Sequence, residues 1–136
     1  MRLELTKRAD YAIRTVVALA AAVPDERLSV RRIALQQDIP VRFLGQVMAD
    51  LVSASIVEGQ TGRSGGYRLA RASSAVSLLE VIEAVEGDSR RRGCVLRGGP
   101  CQVSAMCEAH AVFAAGQEDL LDRFRTTSIA SLQQTA

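Results

Sequence analysis

The stretch IVEGQTGRSGGYRLARA, residues 56–72, decides how the rest of the chain is read. Ile56 and Val57 lead into a glycine-rich turn, and Tyr67 and Leu69 alternate with Arg68 on the way out, which is the pattern of an antiparallel hairpin. Basic residues stand at its tip (Arg63) and its base (Arg68). Alone, this is equally an ordinary hairpin with solvated arginines. What lies upstream gives it another meaning.

Residues 6–22 place Ala12, Val16, Leu19 and Val23 on one helical stripe, widened by Ile13, Val17 and Ala20 and broken at Pro24 and Asp25. Ser29 then reads as the N-cap of a short second helix, with Leu28 placed to staple against Ile33. Pro40 suits the first turn of a third helix, whose Leu44, Val47, Met48 and Leu51 recur at core spacing. Its other side near the start shows Arg42, Phe43, Gly45 and Gln46, and polar groups at a helix N-terminus reach base edges in a major groove. Two short helices joined by a tight connection make a helix-turn-helix. Three helices followed by a glycine-tipped hairpin bearing Arg63 and Arg68 describe a winged helix-turn-helix, in which the two-stranded wing lies along the phosphate backbone or minor groove.

The fold class is therefore mainly α. Residues 1–75 are expected to form a winged-helix DNA-binding domain, and residues 76–136 a helix, a cysteine-bearing loop and a long C-terminal dimerisation helix. Ser77 and Glu80 form a capping box, Val76 and Val81 the staple, and Gly87 the stop of a fourth helix. From Cys107 the periodicity returns, with Phe113, Gln117, Leu120, Leu121 and Phe124 on one side of a helix reaching about Arg125. That helix is too apolar to stand alone and is expected to pack against a second copy. A short helical turn in TTSIASL closes the pattern.

With 136 residues, 48% of them hydrophobic, the chain buries a modest core as one domain or as one small domain with an appendage. The apolar run VVALAAAV at 16–23 is too short to span a bilayer, so the expectation is a soluble, cytoplasmic protein with no membrane partner. The net charge of +2 divides unevenly: eleven basic and seven acidic residues precede position 76, giving +4, and six and eight follow, giving −2. Nucleic-acid contact is thereby directed to the N-terminal half. Sixteen of the seventeen basic residues are arginine, which suits bidentate contacts to phosphate and guanine, although genomic base composition accounts for it equally well.

All three cysteines and the single histidine fall in CVLRGGPCQVSAMCEAH, residues 94–110. Gly98, Gly99 and Pro100 let this segment bend back, so that separated thiolates can face one centre. Cys107 and His110, three apart at the expected start of a helix, share a face and can approach the same ion or cluster. An odd cysteine count leaves at least one thiol outside any intramolecular disulfide, favouring a reducing compartment and metal or redox chemistry.

TKRADYAIR at 6–14, GRSGGYRLAR at 62–71, SLLEVIEAVEG at 77–87, the three cysteines and the closing TTSIASL together resemble the Rrf-two (Rrf2) family of bacterial winged-helix transcription regulators, over nearly the whole chain. The resemblance implies that Cys94, Cys101 and Cys107 ligate an iron-sulfur cluster, 2Fe–2S or 4Fe–4S. The fourth ligand stays open between His110, which matches the histidine of IscR-like members, and Asp10, which matches the acidic ligand that NsrR-like members lend from the partner subunit. Asp10 also has a plainer role, pairing with Arg14 one turn on. The resemblance places Arg42, Phe43 and Gln46 of the recognition helix, and Thr61, Arg63, Ser64, Gly65 and Gly66 of the wing, with Arg68 at its base, on double-stranded DNA. One departure concerns Gly45, where IscR-like members often carry glutamate; the wing tip also differs from the usual glycine-rich one in having Arg63 and Ser64.

The implied protein is a homodimeric repressor on a palindromic operator, its affinity set by a cluster that senses nitric oxide, redox state or iron supply. The alternatives are a structural zinc site of three cysteines and a histidine, a cysteine thiol switch, and a metabolite-binding regulator that ignores its cysteines. An enzyme with Cys107 as nucleophile and His110 as base lacks an orienting third residue, and none is expected.

Overall fold

The structure is a computed structural model, and it describes residues 4–87 and 107–134. Cys94 and Cys101 lie outside the described residues.

Helix α1 (Lys7–Ala21) begins where the Thr6 hydroxyl accepts the Ala9 amide at 3.2 Å, satisfying one orphan donor of the first turn. Ala9, Ala12, Val16 and Leu19 are buried along one face. The alanines let neighbouring helices close on α1, which becomes the central strut touching α2, α3, α4 and α6. Val23, expected on that stripe, lies beyond the helix end and is 67% exposed, because the chain turns away at Pro24 and Asp25 takes a left-handed φ of 66°.

Helix α2 (Val30–Gln37) is capped by Ser29, whose hydroxyl accepts the Arg32 amide. It ends at Asp38, in the left-handed conformation with φ 52° and ψ 49°, which an aspartate tolerates at a helix C-terminus. Ile39 then drops into the core and Pro40 occupies the N-cap of α3 (Val41–Ser53), one position earlier than the helical first turn that the sequence suggested. Leu44, Val47, Met48 and Leu51 are all buried, as their spacing predicted. Burying a side chain of this size contributes about 1.5–3 kcal/mol each.

Strands β1 (Val57–Gln60) and β2 (Gly66–Leu69) pair antiparallel with Val57 opposite Leu69 and Gln60 opposite Gly66. Leu28 adds a bridge on the other side of β2, exchanging both backbone hydrogen bonds with Tyr67 at 2.9 and 2.8 Å. The wing is thus stitched to the chain entering α2. Gly66 is required there: its φ is +136°, and a Cβ would come within 2.9 Å of the Leu28 carbonyl oxygen.

A 3₁₀ turn (Ser73–Ala75) leads to α4 (Leu78–Glu86), which carries the capping box read from the sequence. Its Val81, Ile82 and Val85 join the same core as α1 and α3. The Thr6 hydroxyl donates to the carboxylate of Glu86, tying the start of α1 to the end of α4.

Helix α5 (His110–Thr126) starts three residues later than the renewed periodicity suggested, and α6 (Ile129–Gln133) follows a short connection. Of the α5 stripe expected to pack against a second copy, Leu121 is already buried within this chain, and Phe113, Gln117, Leu120 and Phe124 are half-buried. Ser128 bridges antiparallel to Ser77, with the Leu78 amide donating to Thr127 and the Ile129 amide to Val76. That bridge seats Ile129, fully buried, in the main core. No helix among the described residues is long and apolar enough to cross a membrane.

Candidate nucleic-acid interface

The α2–α3 connection fixes which side of α3 stays open. Because Leu44, Val47, Met48 and Leu51 take the inner face, Arg42, Phe43, Gly45 and Gln46 are left outside on the first two turns. The Arg42 guanidinium lies 4.8 Å from the centroid of the Phe43 ring. That ring in turn sits 6.0 Å from Tyr11, whose other neighbour is the Arg14 guanidinium at 5.2 Å. Two neighbouring aromatic rings flanked by two arginines therefore run from α1 to the start of α3, holding the half-exposed Phe43 in place. Gly45 faces open space on this surface, so its lack of a side chain leaves a shallow notch between Arg42 and Gln46.

Gln46 is not free to rotate. Its side-chain amide donates to Asp50 at 3.0 Å, and the other oxygen of Asp50 accepts from the Arg8 guanidinium on α1. Sequence reasoning missed Arg8, Tyr11 and Asp50. The i, i+4 spacing of Gln46 and Asp50 was visible, but the approach of α1 to α3 is a tertiary fact.

In the wing, Thr61, Arg63 and Ser64 are exposed at the tip. Gly65 lies where a Cβ would meet the Gln60 and Gly62 carbonyl oxygens at 2.4 and 2.8 Å, so the tip is folded too tightly for any side chain there. Among the described residues Arg63 forms no ion pair, and the same holds for Arg31 at the start of α2 and Arg42 on α3. Arg68 differs. It pairs across the strands with Glu58 and lies 3.8 Å from Asp25, while Arg27 approaches the same Glu58 carboxylate at 3.7 Å. Of the two wing arginines singled out from the sequence, one is presented outward and the other is engaged within the hairpin.

The residues considered for metal binding divide similarly. Cys107 is a half-buried free thiol, and the exposed His110 opens α5 with its backbone amide donating to the Cys107 carbonyl at 2.9 Å. The two are joined by a turn rather than sharing a helix face as expected, since the helix begins only at His110. Asp10 accepts from Arg14 at 2.9 Å, so the plainer role foreseen for it is filled, and Arg14 also donates to the Gln37 carbonyl at the end of α2. Among the described residues no three histidine, cysteine or acidic side chains converge as a metal site.

A helix-turn-helix with an exposed α3 start and a wing carrying an outward arginine is a duplex-reading arrangement. A profile of the Rrf2 family, described as an iron-dependent transcriptional regulator, matches residues 5–135. The chain belongs to the Rrf2 family. An rrf2-like HTH-type transcriptional regulator of Rhodobacter capsulatus is 30% identical over 118 residues, covering 81% of this chain and 79% of that protein. The HTH-type regulator IscR of Cereibacter sphaeroides is 35% identical over 86 residues, covering 62% of this chain and 56% of IscR, so the chain spans little more than half of that relative. In structure it is similar to CymR, the global cysteine regulator of B. subtilis, with a TM-score of 0.82 at 19% identity over 99% of each chain. This Rrf2-family chain is thus a winged-helix transcriptional regulator that binds DNA, and not an enzyme.

Proposed function

We propose that the protein is a homodimeric repressor whose grip on a palindromic operator is set by an iron-sulfur cluster held by Cys94, Cys101 and Cys107, with Asp10 or His110 completing the set. Residues 1–75 form the reading head and residues 76–136 the sensing and pairing half. The observation that carries the DNA-reading part is the pairing pattern of the arginines: Arg42 and Arg63 reach outward from the recognition helix and wing tip, while their neighbours are spent on internal carboxylates. Phosphate contacts need such uncommitted cations, and base contacts need the exposed α3 start.

The donor chemistry supports the sensing part. Thiolates are the preferred ligands of iron-sulfur clusters, and the described thiol of Cys107 is free and half-buried just ahead of α5. A bound cluster would supply a redox-active and nitric-oxide-reactive centre with one weakly held iron. The chain's own residues then do the rest: Asp10 is either left to Arg14, as observed, or drawn away from it, and Arg14 also holds the end of α2.

The dimer is supported by α5. Its first half leaves Val112 73% exposed and offers Ala111, Ala115 and Gly116 outward, a surface a second α5 would cover. Two reading heads related by a two-fold axis suit half-sites roughly 34 Å apart.

A second reading is favoured by the likeness to the cysteine regulator CymR: a regulator that answers a sulfur metabolite or thiol oxidation, with its cysteines free of iron. Oxygen-free purification followed by visible absorption, iron and sulfide analysis separates the two. A brown protein that loses colour and operator affinity together in the variant with all three cysteines changed to serine supports the cluster. Colourless, iron-free material with undiminished operator affinity overturns it, and zinc in stoichiometric amount points to a structural site instead.

A further inference from the structure

The side-chain amide of Gln46 is placed by a relay that begins on another helix. Arg8 on α1 donates to one oxygen of Asp50, and the other oxygen of Asp50 accepts from Gln46 Nε2 at 3.0 Å. The Asp50 side chain is only 21% exposed, whereas Gln46 is exposed on the open face of α3. A carboxylate can only accept, so the amide nitrogen of Gln46 must be the atom facing Asp50. The carbonyl oxygen is then the atom left without an internal partner, together with the second hydrogen on the nitrogen. Had Asp50 been an asparagine, either end of the Gln46 amide could have faced it.

We propose that Asp50, fixed by Arg8, is a positioning residue that sets the base specificity of Gln46. An amide that shows its oxygen and one remaining N–H to the major groove matches adenine, which offers an N6 donor and an N7 acceptor side by side. Guanine shows only acceptors, N7 and O6, on the same edge. With one N–H held by Asp50 and the oxygen turned outward, Gln46 sets its own acceptor against O6. Asp50 thereby contributes rejection of guanine as well as acceptance of adenine, without touching DNA. The ion pair with Arg8 offsets the charge that a carboxylate would otherwise bring close to the phosphates, and it stops Asp50 from turning away. This inference rests on the proposal that α3 reads the major groove.

The test uses the full chain and a pool of duplexes with a randomised core of about 20 base pairs, selected in parallel by the wild type, Gln46→Ala, Asp50→Asn, Asp50→Glu and Arg8→Gln. The base pair read by Gln46 is the one at which Gln46→Ala becomes indifferent. There the wild type should prefer adenine over guanine by about five- to 150-fold, the range of one good bidentate contact. Asp50→Asn should cut that ratio about fivefold or more at this position alone. Arg8→Gln should do so less, and Asp50→Glu, which keeps a carboxylate, should retain the preference. A mere helix-surface pair would leave base preference unmoved and shift only the melting temperature.

The proposal is overturned if Asp50→Asn keeps the wild-type ratio, if it weakens binding to all duplexes alike, or if the Gln46 position selects guanine. A wild type that selects no sequence at all removes the DNA-reading proposal itself, an outcome distinct from a selective wild type matched by an equally selective Asp50→Asn.

Discussion

The two wing arginines should respond very differently to removal. Arg63 stands at the exposed tip with no ion pair among the described residues, whereas Arg68 is held by Glu58 and lies near Asp25. If Arg63 neutralises one phosphate per reading head, Arg63→Ala should make the slope of log affinity against log salt shallower by about 0.9 per head, and by about 1.8 for a two-headed dimer. At about 0.15 M salt the same contact is worth about fivefold in affinity per head, hence about 30-fold for the pair. Arg68→Ala should change the slope by much less, since Arg68 already has its counter-charge within the hairpin. Its loss should cost at most about 1 kcal/mol of stability, as for an exposed ion pair. Fluorescence anisotropy on a duplex selected by the wild-type protein, with salt varied from about 50 to about 400 mM, measures both slopes in one series. Equal slopes for the two variants, or an unchanged slope for Arg63→Ala, would refute the assignment of the wing tip to the phosphate backbone.

Four further outcomes follow from the packing. Gly65→Ala should cut operator affinity while barely moving the melting temperature, because the added Cβ meets the Gln60 and Gly62 carbonyls and disturbs only the wing tip; a melt and a binding isotherm on the same sample check it. Ile129→Ala should cost about 2–5 kcal/mol in urea unfolding, since Ile129 is fully buried in the main core although it lies near the end of the chain. Ser77→Ala should cost about 1 kcal/mol by opening the capping box. Its partner Glu80 is disfavoured by burial, but hydrogen bonds from Ser77 and Arg71 and the Arg71 charge outweigh this and hold its carboxyl below the ordinary value of 4.5. A lowered folded value means stability that is full above pH 4.5 and lost as the pH falls through it, so the melting gap between wild type and Glu80→Ala should shrink in acid.

Local chemistry made the winged helix legible. Ser29, the Ser77–Glu80 box and the period of Leu44, Val47, Met48 and Leu51 each act within a few residues, and all three appear in the structure where the sequence put them. Val23 failed for an equally local reason, since it continues the stripe numerically but the helix has already ended. What could not be read was which charges meet. Arg63 and Arg68 look alike in sequence, and only the register that sets Glu58 opposite Arg68 separates them. The Arg8–Asp50–Gln46 relay likewise depends on how α1 lies against α3, which no residue spacing encodes. Of the expected ligand set, Cys107, His110 and Asp10 are described and do not converge, and the observed partner of Asp10 is Arg14.

The position of α5 says how a signal near Cys107 has to travel. Leu121, in its second half, is its one buried side chain, and the connection after it is pinned by the Ser77–Ser128 bridge. The beginning of α5, where His110 lies just after Cys107, is covered far less, with Val112 largely exposed. Among the described residues little resists a shift at that end, and the route inward is narrow. In the proposed dimer the second copy of α5 closes this gap, so the same shift would alter the angle between two reading heads that are each rigid. A differential of about 1–3 kcal/mol between the two angles is enough for a five- to 150-fold change in operator affinity. Such a mechanism predicts that affinity for an isolated half-site stays constant while affinity for the full palindrome varies. Half-site duplexes measured alongside full operators, with and without oxygen exposure, decide it: parallel changes on both duplexes would place the effect inside one head rather than between two.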